Sequence, residues 1–228
     1  MTVFDSLSRR LVLTLAASAL ALSACSGGGE TSSAATGTDG EFTVEGDYVL
    51  GNADAPITLV EYASVACPGC AAWHEGVYPD VKAKYIDTGK IKYVFRPFPA
   101  STPEMATTGH KLAYCAPRDK FFKNIGLQFK EQRKLFNALQ SGNGRQAYVS
   151  LAKASGLSEE EFMACLTDPE ITARYDRDTQ LGVDQGVRST PTIFVNGQKT
   201  PNNSLEAIEA IALPILGEPI PTPESDAE

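Results

Sequence analysis

An α/β fold is predicted, with a long helical stretch between its strand-bearing parts. Three observations carry this. Ile57-Thr-Leu-Val-Glu-Tyr62 is an apolar, β-prone run that passes directly into a helical pattern. Ile91-Lys-Tyr-Val-Phe95 is a second such run, and Thr192-Ile-Phe-Val195 with Gln198-Lys-Thr200 brackets the hairpin turn signal Asn196-Gly197. Between about Thr102 and Val187 no convincing strand occurs.

The chain of 228 residues can hold one domain with a sizeable core, or a domain with an insertion. Its 43% hydrophobic and 21% charged content is that of a globular protein. A net charge of −8 argues against a nucleic-acid partner, which selects clustered cations. The two histidines, His74 and His110, leave little room for a histidine-rich metal site.

Residues 1–24 read as a signal peptide: Arg9-Arg10 precede an apolar run from Leu11 to Ala24, too short for a transmembrane span. Leu22-Ser-Ala-Cys25 resembles a bacterial lipoprotein box, in which Cys25 is lipidated and becomes the N-terminus; the alternative is an ordinary signal peptide that leaves Cys25 a free thiol. Residues 25–45 form a flexible tether, rich in Gly, Ser and Thr.

Tyr48-Val-Leu50 reads as an edge strand and Gly51-Asn-Ala-Asp-Ala-Pro56 as a turn. After the central strand, Pro68 brings a fixed φ suited to a first helical turn, and Ala71, Ala72 and Trp73 carry the helix on. Pro79 kinks or restarts it, and it stops near Thr88-Gly89. The strand at Ile91 is expected parallel to the first through a right-handed crossover, ended by Arg96-Pro-Phe-Pro99. Phe121, Phe122, Ile125 and Phe129 have helical spacing, Gly142-Asn-Gly144 breaks it, Ser158 with Glu161 forms a capping box, and Asp168-Pro169 opens another helix. Leu205, Ile208 and Ile211 mark a last helix ended by Pro214 and Gly217, and 217–228 reads as a disordered tail.

The chemistry concentrates at Cys67-Pro68-Gly69-Cys70. Cys67 falls at a helix start, where free amides and the positive end of the helix dipole stabilise a thiolate. Such a thiol ionises below the ordinary value of about 8.5. Cys70 lies one turn on, close enough to attack a mixed disulfide formed on Cys67. Glu61, inside an apolar strand, needs a reason to be there. Setting Cys25 aside, Cys67, Cys70, Cys115 and Cys165 form an even set, which in an exported chain suggests two disulfides.

The Cys-x-x-Cys pair after a buried strand, Glu61 six residues before it, Thr190-Pro191 at the mouth of a second β-run, and the helical stretch between them resemble the thioredoxin superfamily. Within it they resemble the DsbA-like thiol–disulfide oxidoreductases of the bacterial cell envelope. The resemblance spans about residues 46–216. It implies a thioredoxin fold, a central mixed sheet flanked by helices, in two parts, 46–101 and 188–216, around an inserted all-helical subdomain, 102–187. It implies Cys67 as nucleophile, Cys70 as resolving thiol, and Glu61 as a buried acid exchanging protons with Cys70; an acid that merely reaches solvent at the sheet end is the bland alternative. It implies that Pro191 is a cis-proline facing the redox pair, with Thr190 pairing to an incoming peptide; a trans proline starting an edge strand is the alternative. A disulfide between Cys115 and Cys165 follows from the resemblance and the compartment, against two buried free thiols.

The implied activity is oxidation of cysteine pairs in unfolded or partly folded exported proteins by a monomer. Re-oxidation would come from a membrane quinone-linked thiol oxidase, and the protein would need no cofactor and no metal. Pro68 and Gly69 tune the direction: the strongest oxidases of the resembled family carry histidine where this chain has Gly69, so isomerase-like and reductase-like relatives stay open. Two rivals come from other classes. One is a metal-binding protein using Cys67, Cys70 and His74; the other is a non-catalytic chaperone of the periplasm, which Cys67→Ala would spare.

Overall fold

The computed structural model describes residues 42–220. The signal peptide, Cys25, most of the tether and residues 221–228 lie outside the described residues. Five strands, β1 (Val49–Leu50), β2 (Ile57–Ala63), β3 (Ile91–Pro97), β4 (Thr192–Val195) and β5 (Gln198–Lys199), form one mixed sheet of order β1-β3-β2-β4-β5. β2 and β3 are parallel, and the other pairs are antiparallel. Between β2 and β3 run α1 (Pro68–Gly76) and α2 (Tyr78–Val81), the latter continuing as a π-helical turn, Lys82–Ile86. Pro79 thus restarts the helix, in the first turn of α2, where its missing N–H costs nothing.

Between β3 and β4 come α3 (Pro103–Cys115), a 3-10 turn (Arg118–Lys120), α4 (Phe121–Gln140), α5 (Gly144–Ala154), α6 (Glu159–Leu166) and α7 (Pro169–Asp184). These five helices make the insertion in a thioredoxin fold, and α8 (Leu205–Leu216) closes the unit. The Ser158–Glu161 capping box is present in both directions, and the Asp168 carboxylate caps α7.

Four boundaries differ from expectation. β3 runs on to Pro97, because the Arg96 side chain, fully buried, is neutralised by Asp47 (Nη2 to Oδ2 2.7 Å) and also donates to Tyr62 Oη at 2.7 Å. Proline, lacking a donor, suits the last strand position. Pro214 sits inside α8, late enough that the ladder tolerates it; Gly217, at φ 68°, ends the helix. The folded unit reaches back to Phe42, whose ring packs on Phe194 at 5.3 Å and whose carbonyl accepts from Arg96. At the other end Glu218 pairs with Lys90 at 2.7 Å, so ordered contacts extend past Gly217.

Alternation along β2 places the site. Thr58, Val60 and Tyr62 face one side, where Val60 and Tyr62 pack with Val94, Val187 and Phe194. Ile57, Leu59, Glu61 and Ala63 face the other, where the apolar members join Cys70, Trp73, Tyr93 and Phe129 in the main core. Glu61 therefore points into the core beneath α1.

Candidate active site

Cys67 is the N-cap of α1, extended at φ −88° and ψ 120°, with Pro68 inside the first turn. No side chain caps this helix, so its first amides are free to face the Cys67 sulfur. Cys67 is 9% exposed and Cys70 wholly buried, so the nucleophile has a narrow opening and its partner none. The two are free thiols in this structure.

The pair is electrostatically split. The Cys67 thiol is pulled down to about 5, chiefly by the Cys70 thiol donating to it, with further help from Thr190 and the Cys70 and Gly69 amides; burial opposes this. Burial pushes the Cys70 thiol far up, aided by its hydrogen bond to Cys67 and by the Glu61 charge. At neutral pH one sulfur is an anion and the other keeps its proton.

The second motif closes over the first. The Thr190–Pro191 bond is cis, and the Thr190 carbonyl oxygen lies 3.5 Å from Cys67 Sγ. A Cβ placed on Gly69 would stand 3.7 Å from Pro191 Cδ, so the proline ring lies over the dipeptide between the cysteines. Asn203 ties both together: its side-chain amide donates to the Pro191 carbonyl at 2.9 Å, and its own carbonyl accepts from Trp73 Nε1 at 2.8 Å.

Glu61 is wholly buried and does not reach solvent. Its Oε2 accepts from the Tyr93 hydroxyl and lies 2.9 Å from His74 Nε2; its Oε1 has no hydrogen-bond partner. His74 thus turns to Glu61, and its ring stacks on Phe129 of α4 at 4.2 Å. Among the described residues no cluster of three or more His, Cys, Asp or Glu is placed to hold a metal.

Sequence reasoning missed the residues that hold the loop before Cys67. Gln132 of α4 donates from Nε2 to the Val65 carbonyl at 2.8 Å and the Cys67 carbonyl at 3.0 Å. His110 of α3 accepts the Val65 N–H on Nε2 at 3.2 Å, and burial pushes its pKa down to about 3, which keeps that nitrogen bare. Neighbouring Gly109 has no room for a side chain, since a Cβ there would press on Gln128 and Val65. The insertion therefore braces the redox loop directly. His110, polar on the otherwise apolar buried face of α3, was the available signal, whereas Gln132 follows Asn124 and Gln128 on α4 and does not stand out; nothing in their spacing named the partner.

Cys115 at the end of α3 and Cys165 in α6 are joined by a disulfide in this structure, with Cα atoms 5.9 Å apart. No helix among the described residues is long and apolar enough to cross a membrane.

A family model described as Thioredoxin matches residues 43–212. A Rickettsia bellii protein named "Putative protein-disulfide oxidoreductase" is 36% identical over 169 residues, 73% of this chain and 63% of that protein. The chain thus spans under two thirds of that relative's length. Disulfide bond formation protein D of Bacillus subtilis is 26% identical over 170 residues, 72% of this chain and 73% of its own length. The crystal structure of Wolbachia pipientis alpha-DsbA1 superposes with a TM-score of 0.67 at 26% identity, covering 77% of this chain and 93% of that one. With the redox pair, the facing proline and the helical insertion all in place, the chain belongs to the DsbA-like branch of the thioredoxin superfamily.

Proposed function

We propose that this protein is a thiol–disulfide oxidoreductase of the bacterial cell envelope that donates a Cys67–Cys70 disulfide to cysteine pairs of exported proteins. One observation carries the reading: the two sulfurs are split, Cys67 pulled down to about 5 and Cys70 pushed far up. A low-pKa thiol is a good leaving group, so a mixed disulfide on Cys67 is easily resolved toward substrate. It also stabilises the reduced enzyme, which makes the disulfide form an oxidant. Cys67 is the nucleophile, Cys70 the resolving thiol, and Glu61 the buried acid serving Cys70. Pro191 and the Thr190 backbone offer an extended edge beside Cys67 on which a substrate strand can pair.

The names of the Rickettsia and Bacillus relatives support this class of activity, and the Wolbachia likeness supports the DsbA-like form. In this reading a membrane quinone-linked thiol oxidase restores the disulfide, and lipidation of Cys25 anchors the chain to the membrane through the tether. Intact mass of the mature protein tests the anchor: acyl mass on Cys25 supports it, and its absence refutes it. Oxidation of a reduced, unfolded protein by the disulfide form, counted as free thiols lost, tests the activity; Cys67→Ala abolishes it.

A reductase-like reading has one observation in its favour: Gly69 brings no side-chain donor to Cys67. A measured potential near thioredoxin's, about −270 mV, selects that reading, and a value near or above about −180 mV selects the oxidase.

A further inference from the structure

Disulfide transfer leaves a proton to be delivered inside the protein. A substrate thiolate attacks Cys67 Sγ, an S–S bond forms there, the Cys67–Cys70 bond breaks, and its electron pair leaves on Cys70 Sγ. The second substrate thiolate closes the substrate disulfide and expels Cys67 as a thiolate. Two electrons have moved from substrate to enzyme. Of the two protons lost by the substrate thiols, one must reach Cys70, which is wholly buried, and the other is released.

Glu61 is buried on the same side of the sheet as Cys70. Its charge acts on Cys70, and its Oε1 is buried with no partner, free to take up or give a proton. Its Oε2 has two contacts, Tyr93 and His74. Tyr93 leads nowhere: burial, then the Glu61 charge, hold its hydroxyl well above the ordinary range, so it stays a donor. His74 leads outward. Its side chain keeps 8% exposure, and it lines an open surface cavity of about 370 Å³ with Ala71, Glu75, Tyr78, Gly126, Phe129 and Lys130.

We propose that His74 is the port through which protons pass between solvent and Glu61, and so to and from Cys70. This rests on the thiol–disulfide reading above. His74 acts through Glu61 and is a positioning residue for the reaction at sulfur. An imidazole accepts a proton on one nitrogen while releasing one from the other. Nε2 is committed to Glu61, which leaves Nδ1 for exchange with the cavity. The titratable groups about the ring are Glu61 from β2, Tyr93 from β3 on the same carboxylate, Glu75 beside it on α1, Tyr78 from α2 and Lys130 from α4. Phe129, stacked at 4.2 Å, and Tyr78, at 4.6 Å, fix the ring plane.

The test follows reduction of the oxidised full-length protein by a peptide dithiol from pH 5 to 8, with acid quench and thiol alkylation. His74→Gln can still donate to Glu61 but cannot relay; its rate at pH 7 is expected to fall at least about tenfold, with a flattened pH profile. His74→Ala opens the ring's place to the cavity, and added imidazole is expected to restore its rate in proportion to dose. Folded variants with the native rate and profile overturn the proposal. So does a slow His74→Gln whose profile keeps the native shape, or a folded, slow His74→Ala that imidazole leaves slow, since packing alone then explains the loss. If His74→Ala does not fold, the pH profile of His74→Gln decides. An unreactive native Cys67 sinks the underlying reading instead, a result independent of His74.

Discussion

Cys67 Sγ and the Thr190 carbonyl oxygen are 3.5 Å apart, though 123 residues separate them in the chain. The helix start that carries the sulfur and the backbone at Thr190 are thus one surface. The antiparallel pairing of β4 on β2, with Tyr62 opposite Thr192, holds Thr190 and Pro191 there.

Glu61→Gln keeps the shape of the buried acid and removes its charge. The step that needs a proton on or off Cys70 is expected to slow by at least about tenfold, while alkylation of Cys67 keeps its native rate. Rates of reduction and re-oxidation across pH check this. Unchanged kinetics at every pH contradict a role for Glu61.

Gln132→Leu removes the donor that α4 gives to the Val65 and Cys67 carbonyls. Cys67 O keeps the Cys70 and Ala71 amides. Val65 O loses this partner, at a cost of about 1–3 kcal/mol. Urea denaturation of the reduced protein measures it, and a midpoint equal to the native one contradicts the brace.

Gly69→His adds a donor beside Cys67. The site has room, because a Cβ there meets Pro191, Cys67 Sγ and Thr190 O at 3.7 to 3.9 Å, ordinary contact distances. Each unit by which the Cys67 pKa then falls makes the pair about 30 mV more oxidising. Equilibration with glutathione reads the shift; a potential that stays still or drops contradicts the argument.

The Cys115–Cys165 bond closes a loop of sequence separation 50. Replacing both residues by alanine is expected to cost about 4 kcal/mol by loop entropy. Thermal unfolding checks the loss. Two free thiols at these positions in the oxidised, denatured native protein would contradict the bond.

Much of this architecture was legible in the sequence, because β2, β3, the hairpin and the Cys-Pro-Gly-Cys helix each carry a local signal: apolar runs, Asn196-Gly197, Pro68. The Ser158 capping box and the Asp168 cap were legible for the same reason. Arg96 was not, since a strand-ending Arg-Pro looks like an exit until Asp47, 49 residues away, is known to neutralise it. Glu61 announced itself as a charge in an apolar run, but its partners did not. His74 lies 13 residues off and Tyr93 32, and only the fold brings them together. The Gln132 and His110 contacts to the loop before Cys67 were hidden likewise, because no sequence pattern encodes which helix of an insertion packs on which loop.

The proposed chemistry turns on the ionisation of Cys67, and titrating that thiol in the reduced native protein tests it most directly. Thiolate absorbance, with Cys67→Ser as blank, is expected to be half developed near pH 5, against an ordinary thiol value of 9.0. Stability should follow. The thiolate's contribution to the reduced fold is full above about pH 9 and is lost as pH falls through 5, so the melting temperature relative to Cys67→Ser drops across that window. A midpoint near 5 is the predicted result; a midpoint near 9 would contradict the account.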